Sequence, residues 1–400
     1  MHVSFIPAAS ALALALSALL SADARAAQAE LYLDVATHSM PGAPGMGAIG
    51  RLAGAMGGDR ASYGMARHPG MPGKYLDVAL HNRRQPGAPA DQAVPKGLGL
   101  GEQIRLQAPE SSSSNGGSTS EHDASGPQQD GSYKIRYYWG CGEQVGAGQP
   151  LEFSMTVRNG KPVTSGHQMQ PRNVPANTID AGPQYVLWPN PAARKAVGNQ
   201  ASLIGAHHVT GNAVPESMRF ELGSEHDFLP ELKLRREGDA GKGIALAWDQ
   251  VPGARAYFAQ ATAMDGDTIV MWSSSEDGYA GQEMITFLPE SLVTQWIGKR
   301  TLMGGDARQC RIPPGVFGDA AQNTAMVQMI AYGNERHLAE PRPANAPRDW
   351  QPAWNVRVRN KSTAMLMPGV AAISGEAAKP AAREAVKDAA KGMLRGLFGR

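Results

Sequence analysis

Asp34 and His38 lie in the stretch YLDVATH at residues 32–38, and Asp77 and His81 lie in the near-copy YLDVALH at residues 75–81. Carboxylate oxygens and imidazole nitrogens are ligands that zinc and similar divalent transition metals accept. Strand periodicity places Tyr32, Asp34, Ala36 and His38 on one face and Leu33, Val35 and Thr37 on the other. Tyr75, Asp77, Ala79 and His81 oppose Leu76, Val78 and Leu80 in the same way. The motif PGAP follows each copy, at Pro41–Pro44 and Pro86–Pro89, and a Gly- and Met-rich segment joins them. The two copies are therefore expected as neighbours in one sheet, with Asp34, His38, Asp77 and His81 on a shared face. If the four converge, they form a binding site for a divalent metal. An antiparallel in-register pairing instead sets Asp34 near His81 and Asp77 near His38, two cross-strand ion pairs that need no metal. The simplest expectation is that these residues form the wet face of a sheet whose Leu/Val side packs inward.

Other groupings offer less chemistry. His207 and His208 are adjacent, so a strand would turn them to opposite faces. Glu225-His226-Asp227 has the residue types of a local acid/base group, but Phe228, Leu229 and Pro230 follow at once, which reads as a strand connection. Gly97-Leu-Gly-Leu-Gly101 lacks the spacing and the following helix of a phosphate-cradling loop. Glu143 beside Cys141 reads as an exposed loop acid, with no carboxylate partner at the separation that glycoside hydrolysis needs. Neither a Gly-x-Ser-x-Gly elbow nor a His-Glu-x-x-His pair occurs. Tyr137, Tyr138 and Trp139 would suit a stacking platform but read more simply as core. No catalytic residue is assigned.

The positioning elements are expected to be strands. The chain holds 47 glycines and 29 prolines in 400 residues, well above the usual share of about 12%, which favours short strands and many turns. Apolar residues alternate in Tyr133–Trp139, Leu151–Val157, Arg219–Leu222, Leu232–Leu234, Ile244–Trp248, Met326–Tyr332 and Trp354–Arg359. Such strands argue for β-sandwich packing. The interior exception is Pro289–Ile297, where Leu292, Val293, Trp296 and Ile297 share one side of a short helix that would cap an open sheet end. The net charge of +2 excludes nucleic-acid binding driven by overall charge.

Residues 1–26 read as a cleaved secretory signal peptide: Ala8–Leu20 is an unbroken run of Ala, Leu and Ser, and Ala24-Arg25-Ala26 supplies small residues for cleavage near Ala26. The run is too short to span a bilayer, which needs roughly 20 residues. A periplasmic or secreted location follows. The organisation then reads as a Gly/Pro-rich β region with a hairpin (27–110), a Ser/Gly-rich linker (111–132), a β-sandwich (133–238), a second β-sandwich (239–362) and an amphipathic basic helix (371–400). The linker has no large apolar residue to bury.

IALAWDQVPGARAYFAQATAMDGDTIVMW, from Ile244 to Trp272, resembles the second and third strands of bacterial fibronectin type III domains. The resemblance extends over residues 240–360. It implies that Trp248 and Tyr257 pack between two sheets, and that MVQMIAYGNE (Met326–Glu335) is a later strand of the same sandwich. Asp265-Gly266 fits the hairpin turn, since Gly tolerates the positive φ required there. The segments YYWGCGEQVGAGQP and HHVTGNAVPE are similar to parts of secreted bacterial β-sandwich proteins. These likenesses carry no activity.

Cys141 and Cys310 are the two cysteines of a chain bound for an oxidising compartment, and a disulfide between them is expected. In the tail, Val386, Ala390, Met393, Leu394 and Leu397 form an apolar stripe flanked by Lys379, Arg383, Lys387, Lys391, Arg395 and Arg400. That helix would rest on an anionic membrane surface, grip a partner, or dock on the protein's own body. The functional expectation is a non-catalytic envelope or secreted scaffold that binds an envelope component or another protein. It uses no cofactor and no nucleic acid. The alternative is a secreted hydrolase of envelope polymer, assisted by a divalent metal at Asp34, His38, Asp77 and His81.

Overall fold

The computed structural model describes residues 27–41, 61–67, 71–109, 131–158, 161–167, 169–174, 182–237, 242–318 and 324–367. Residues 1–26, expected as a signal peptide, nearly all of the expected linker, and residues 371–400, expected as a basic helix, lie outside the described residues. Strands dominate: β1 (Ala29–Ser39), β2 (Gly73–Asn82), β3 (Ala90–Ala93), β4 (Gln103–Leu106), β5 (Gly131–Trp139) and β6 (Leu151–Arg158) come first. They are followed by β7 (Lys161–Gly166), β8 (Tyr185–Trp188), β9 (Gly205–Gly211), β10 (Arg219–Leu222), β11 (Leu234–Glu237) and β12 (Ile244–Trp248). The last six are β13 (Ala256–Asp265), β14 (Thr268–Ser273), β15 (Met303–Gly304), β16 (Gln309–Ile312), β17 (Met326–Ala339) and β18 (Trp354–Leu366). Helix α1 spans Glu290–Gly298. Pro289 precedes it, where a missing N–H costs nothing, and its Val293 and Trp296 are buried.

The mainly β class is what forms, with antiparallel pairing in most ladders. One sheet of 11 strands runs in the order β7-β6-β5-β14-β13-β17-β18-β1-β2-β8, with β15 beside β13. Two of its ladders are parallel, β1 with β18 and β14 with β5. A 4-stranded sheet, β10-β9-β3-β4, and a 3-stranded sheet, β11-β12-β16, complete the fold. Residues 133–238 are divided between layers: β5 to β7 extend the large sheet, β8 pairs with β2, and β9 and β10 join β3.

Both small sheets cover the same face of the large one. Along β18 the even positions face one way, and its 13-residue length spans two cores. Trp354, Val356 and Val358 join Leu31, Leu33, Leu80, Val209 and Phe220 in the core under the 4-stranded sheet. Ala364 and Leu366 join Tyr257, Met329, Trp272, Trp248 and Ile312 in the core under the 3-stranded sheet. Trp248 and Tyr257 meet across the two sheets with ring centroids 5.4 Å apart. The β13–β14 hairpin turns at Gly266, whose φ is +58°. Cys141, after β5, is bonded to Cys310 on β16, so a disulfide ties the 3-stranded sheet to the large one.

The opposite face of the large sheet carries different material. Phe258, Ile330 and Tyr332 pack there against Val293 and Trp296 of α1. Beside them, β18, β1 and β2 present Arg357, Arg359, Lys361, Asp34, His38 and Asp77. That polar surface is the first of two candidate sites.

Candidate functional site

The repeated strands are neighbours, as their sequences imply, but their register corrects the expected pairs. Asp34 stands opposite Asp77, His38 opposite Gly73, and His81 opposite Glu30. The two histidines are thus eight positions apart along the ladder, about 26 Å at roughly 3.3 Å per residue. The four side chains do not converge. Two symmetric Asp–His pairs would need Asp34 opposite His81; the register is displaced because Leu31 to Val35 must lie across from Leu76 to Leu80 to fill the inner core.

The face is also not wet. Asp34, His38 and Asp77 are each 2% exposed, and Lys361 is fully buried. Residues 61–67 form a strap across it, and Phe287 closes the side. His38 Nε2 contacts the Met65 carbonyl at 3.1 Å, so that nitrogen carries the hydrogen, while Nδ1 lies 2.7 Å from Thr363 Oγ1. The Ala66 amide donates to Asp77 Oδ2 at 3.1 Å, and Lys361 Nζ donates to the Arg67 carbonyl at 2.7 Å. Arg67 Nε approaches Asp34 at 3.5 Å. The ring of Phe287 receives Arg359 and Lys361, each 4.5 Å from its centre.

Asp34 accepts two bonds from Arg359, Nε to Oδ1 at 2.6 Å and Nη2 to Oδ2 at 2.8 Å. Burial alone would raise the Asp34 pKa, but Arg359, Arg357 and Arg67 together hold it down to about 2. Asp77 has no such clamp. Burial and the facing Asp34 charge push it up to about 7, against the lowering pull of amides from the strap and of Arg67. Burial and the neighbouring Arg359 bring Lys361 down to about 7. Burial opposes the Arg359 charge, yet the Asp34 carboxylate raises its pKa above the usual arginine range. The centre therefore holds two facing acids in unlike surroundings, Asp34 held ionised by its arginines and Asp77 pushed toward its neutral form, both walled off from solvent.

Among the described residues, no three His, Cys, Asp or Glu side chains are placed to hold one metal ion. Both Asp34 oxygens engage Arg359 and both His38 nitrogens have protein partners. His81 lies apart, 3.5 Å from Glu30 and packed on Tyr185. Sequence reasoning missed Arg67, Phe287, Arg357, Arg359 and Lys361. The alternation Val356-Arg-Val-Arg-Asn-Lys361 was the available signal, since it puts three cations on one strand face.

The remaining candidates have structural duties. His207 is buried between Gln92 and the Leu203 carbonyl and stacks on Phe220, and its pKa is lowered by burial. Asp227 accepts from Ser202 Oγ and the Leu203 amide, and Asn360 donates to the carbonyls of Glu225 and Asp227. Lys96–Leu98 is a short 3-10 turn with Leu98 buried. Glu143 pairs with Arg311 at 3.0 Å. Tyr137 is core, its hydroxyl 2.6 Å from Ser273 Oγ and accepting from the Ala280 amide at 2.9 Å.

The second site is an open cleft of about 500 Å³ between residues 169–173, Tyr279 and the exposed side of α1. The half-buried Tyr279 supplies a ring over a floor that includes the buried Trp296, and the exposed Gln170, Asn173 and Gln295 supply carboxamides. Arg172 is spent internally: its Nε donates to the Tyr279 carbonyl at 3.0 Å, and its guanidinium also pairs with Asp277. Among the described residues no helix is long and apolar enough to cross a membrane. No family model, no curated protein and no solved structure matches the chain.

Proposed function

We propose that this protein is an exported, non-catalytic scaffold that binds a component of the cell envelope. The observation that supports it is the continuity of the large sheet, whose strand β18 runs beneath both small sheets. Strand β18 carries the sheet from one core to the other, its ladder with β1 in one register throughout and its ladder with β17 shifting only at Gly333 and Asn334, which suits a spacer or a presenting platform. The Cys141–Cys310 disulfide agrees with residence in an oxidising compartment. The fibronectin-like reading of residues 240–360 belongs to this proposal, since such sandwiches commonly serve as spacers.

Mixing the chain lacking residues 1–26 with isolated envelopes, then sedimenting them, tests the proposal. Saturable retention without release of soluble fragments is the expected result; absence of retention contradicts it. The second reading, hydrolysis of envelope polymer, draws on one observation, the opposed Asp34 and Asp77 with widely separated pKa values. It would require the strap to lift. Release of fragments that stops in the Asp77→Asn variant would favour it.

A further inference from the structure

We infer that the cleft between residues 169–173 and α1 is a binding site for an uncharged saccharide. This deepens the reading of the chain as an envelope-binding scaffold and rests on it. The cleft volume of about 500 Å³ falls in the range of small-ligand sites, roughly 300–1,000 Å³.

Its walls are set before any ligand arrives. Trp296 is held by the buried side of α1 against Phe258 and Ile330, while Gln295 beside it points outward. Tyr279 packs on Tyr137 with centroids 4.7 Å apart, and the Tyr137 hydroxyl is fixed by Ser273 and Ala280. The segment opposite is pinned by Arg172, whose amide donates to Glu283 at 3.1 Å and whose guanidinium is shared between Asp277 and Tyr279.

The chemistry of the free groups selects the ligand. Among the described lining residues Arg172 is the one charged group, and its guanidinium is already paired with Asp277; the Glu283 carboxylate lies behind the wall, where it accepts from the Arg172 and Gly281 amides at 3.1 and 3.0 Å. A charged ligand would find no counter-charge to repay its desolvation. What remains is neutral: the carboxamides of Gln170, Asn173 and Gln295 make no hydrogen bond to protein among the described residues. A carboxamide both donates and accepts, which matches sugar hydroxyls that do the same. The half-buried Tyr279 ring matches the C–H side of a pyranose ring, with the buried Trp296 forming the floor beneath. A peptide would call for a free strand edge or deep side-chain pockets, and neither lines this cleft.

The test is titration of the chain lacking residues 1–26 with chitotetraose, cellotetraose and maltotetraose, following the Trp296 indole resonance by NMR. At least one should shift it saturably. The double variant Asn173→Ala/Gln295→Ala alters only exposed side chains, so its circular dichroism should be unchanged while binding weakens about tenfold. Three outcomes overturn the inference: no saccharide moves the resonance, the double variant binds as well as the parent, or only a proline-rich peptide saturates the cleft. Envelope retention that persists in any of these cases leaves the scaffold reading standing. Saccharide binding in the cleft without envelope retention would do the reverse.

Discussion

Asp34 and Asp77 face each other across neighbouring antiparallel strands, buried together, and only Asp34 has an arginine clamped to both of its oxygens. The difference in their surroundings separates two residues that the repeat makes look equivalent. It also sets how the fold should respond to mutation and pH.

Replacing Asp34 by Asn keeps the shape and removes the charge, leaving the Arg359 guanidinium buried and unpaired. Breaking a buried pair this way costs about 3–5 kcal/mol, so Asp34→Asn should lower the denaturation midpoint sharply with an unchanged slope. In the parent, the folded pKa of about 2 lies below the ordinary 3.8. The stability from this group is present above 3.8 and is lost as pH falls through about 2. An Asp34→Asn variant with parental stability would show that the pair contributes nothing.

Asp77 and Lys361 work in opposite pH windows. The Asp77 pKa is raised from 3.8 to about 7, so its contribution is full below 3.8 and disappears as pH rises through about 7. The Lys361 pKa is lowered from 10.5 to about 7, so its contribution is full above 10.5 and disappears as pH falls toward about 7. Together they place a local minimum of stability near neutrality. Denaturation across pH should show Asp77→Asn flattening the acid limb and Lys361→Met flattening the alkaline one. Parallel curves for parent and variants would refute the assignment.

Phe287 is 3% exposed and shields both Arg359 and Lys361. Phe287→Ala should cost about 3–5 kcal/mol and admit water to the amine. The Lys361 pKa should then climb from about 7, read by NMR of labelled lysine. An unmoved value would mean that Phe287 does not desolvate the amine.

Cys141 and Cys310 are 169 residues apart in sequence. On the chain-entropy account, a loop of that length stabilises by about 5 kcal/mol at most. The Cys141→Ser/Cys310→Ser variant should lose stability up to that amount and match the reduced parent in thermal denaturation. A larger loss on reduction than in the double variant would point to damage other than loss of the bridge.

Period-two alternation made the faces of β1 and β2 legible, because Leu31 to Val35 and Leu76 to Leu80 are apolar on one side only. The helix after Pro289, the turn at Gly266 and the cysteine pairing were readable for similarly local reasons. Other features depend on residues far apart in the chain. Asp34 meets Arg359 across a sequence separation of 325, and no local pattern announces a parallel ladder between the first strand and the last. The strap is harder still: its Met65, Ala66 and Arg67 hold the face through backbone groups, which every residue type possesses. Polar residues on one strand face signal water unless something distant covers them. Here residues 61–67 and Phe287 do.

One sheet, with β18 running beneath both small sheets, makes the two cores a single body. Native-state hydrogen exchange measures this directly, through the amides of Leu33 on β1, Val358 on β18 and Ala259 on β13. The account predicts that all three exchange only through global opening, with one shared free energy and one denaturant dependence. Two distinct opening energies, one for the β1/β18 side and one for the β13 side, would contradict it.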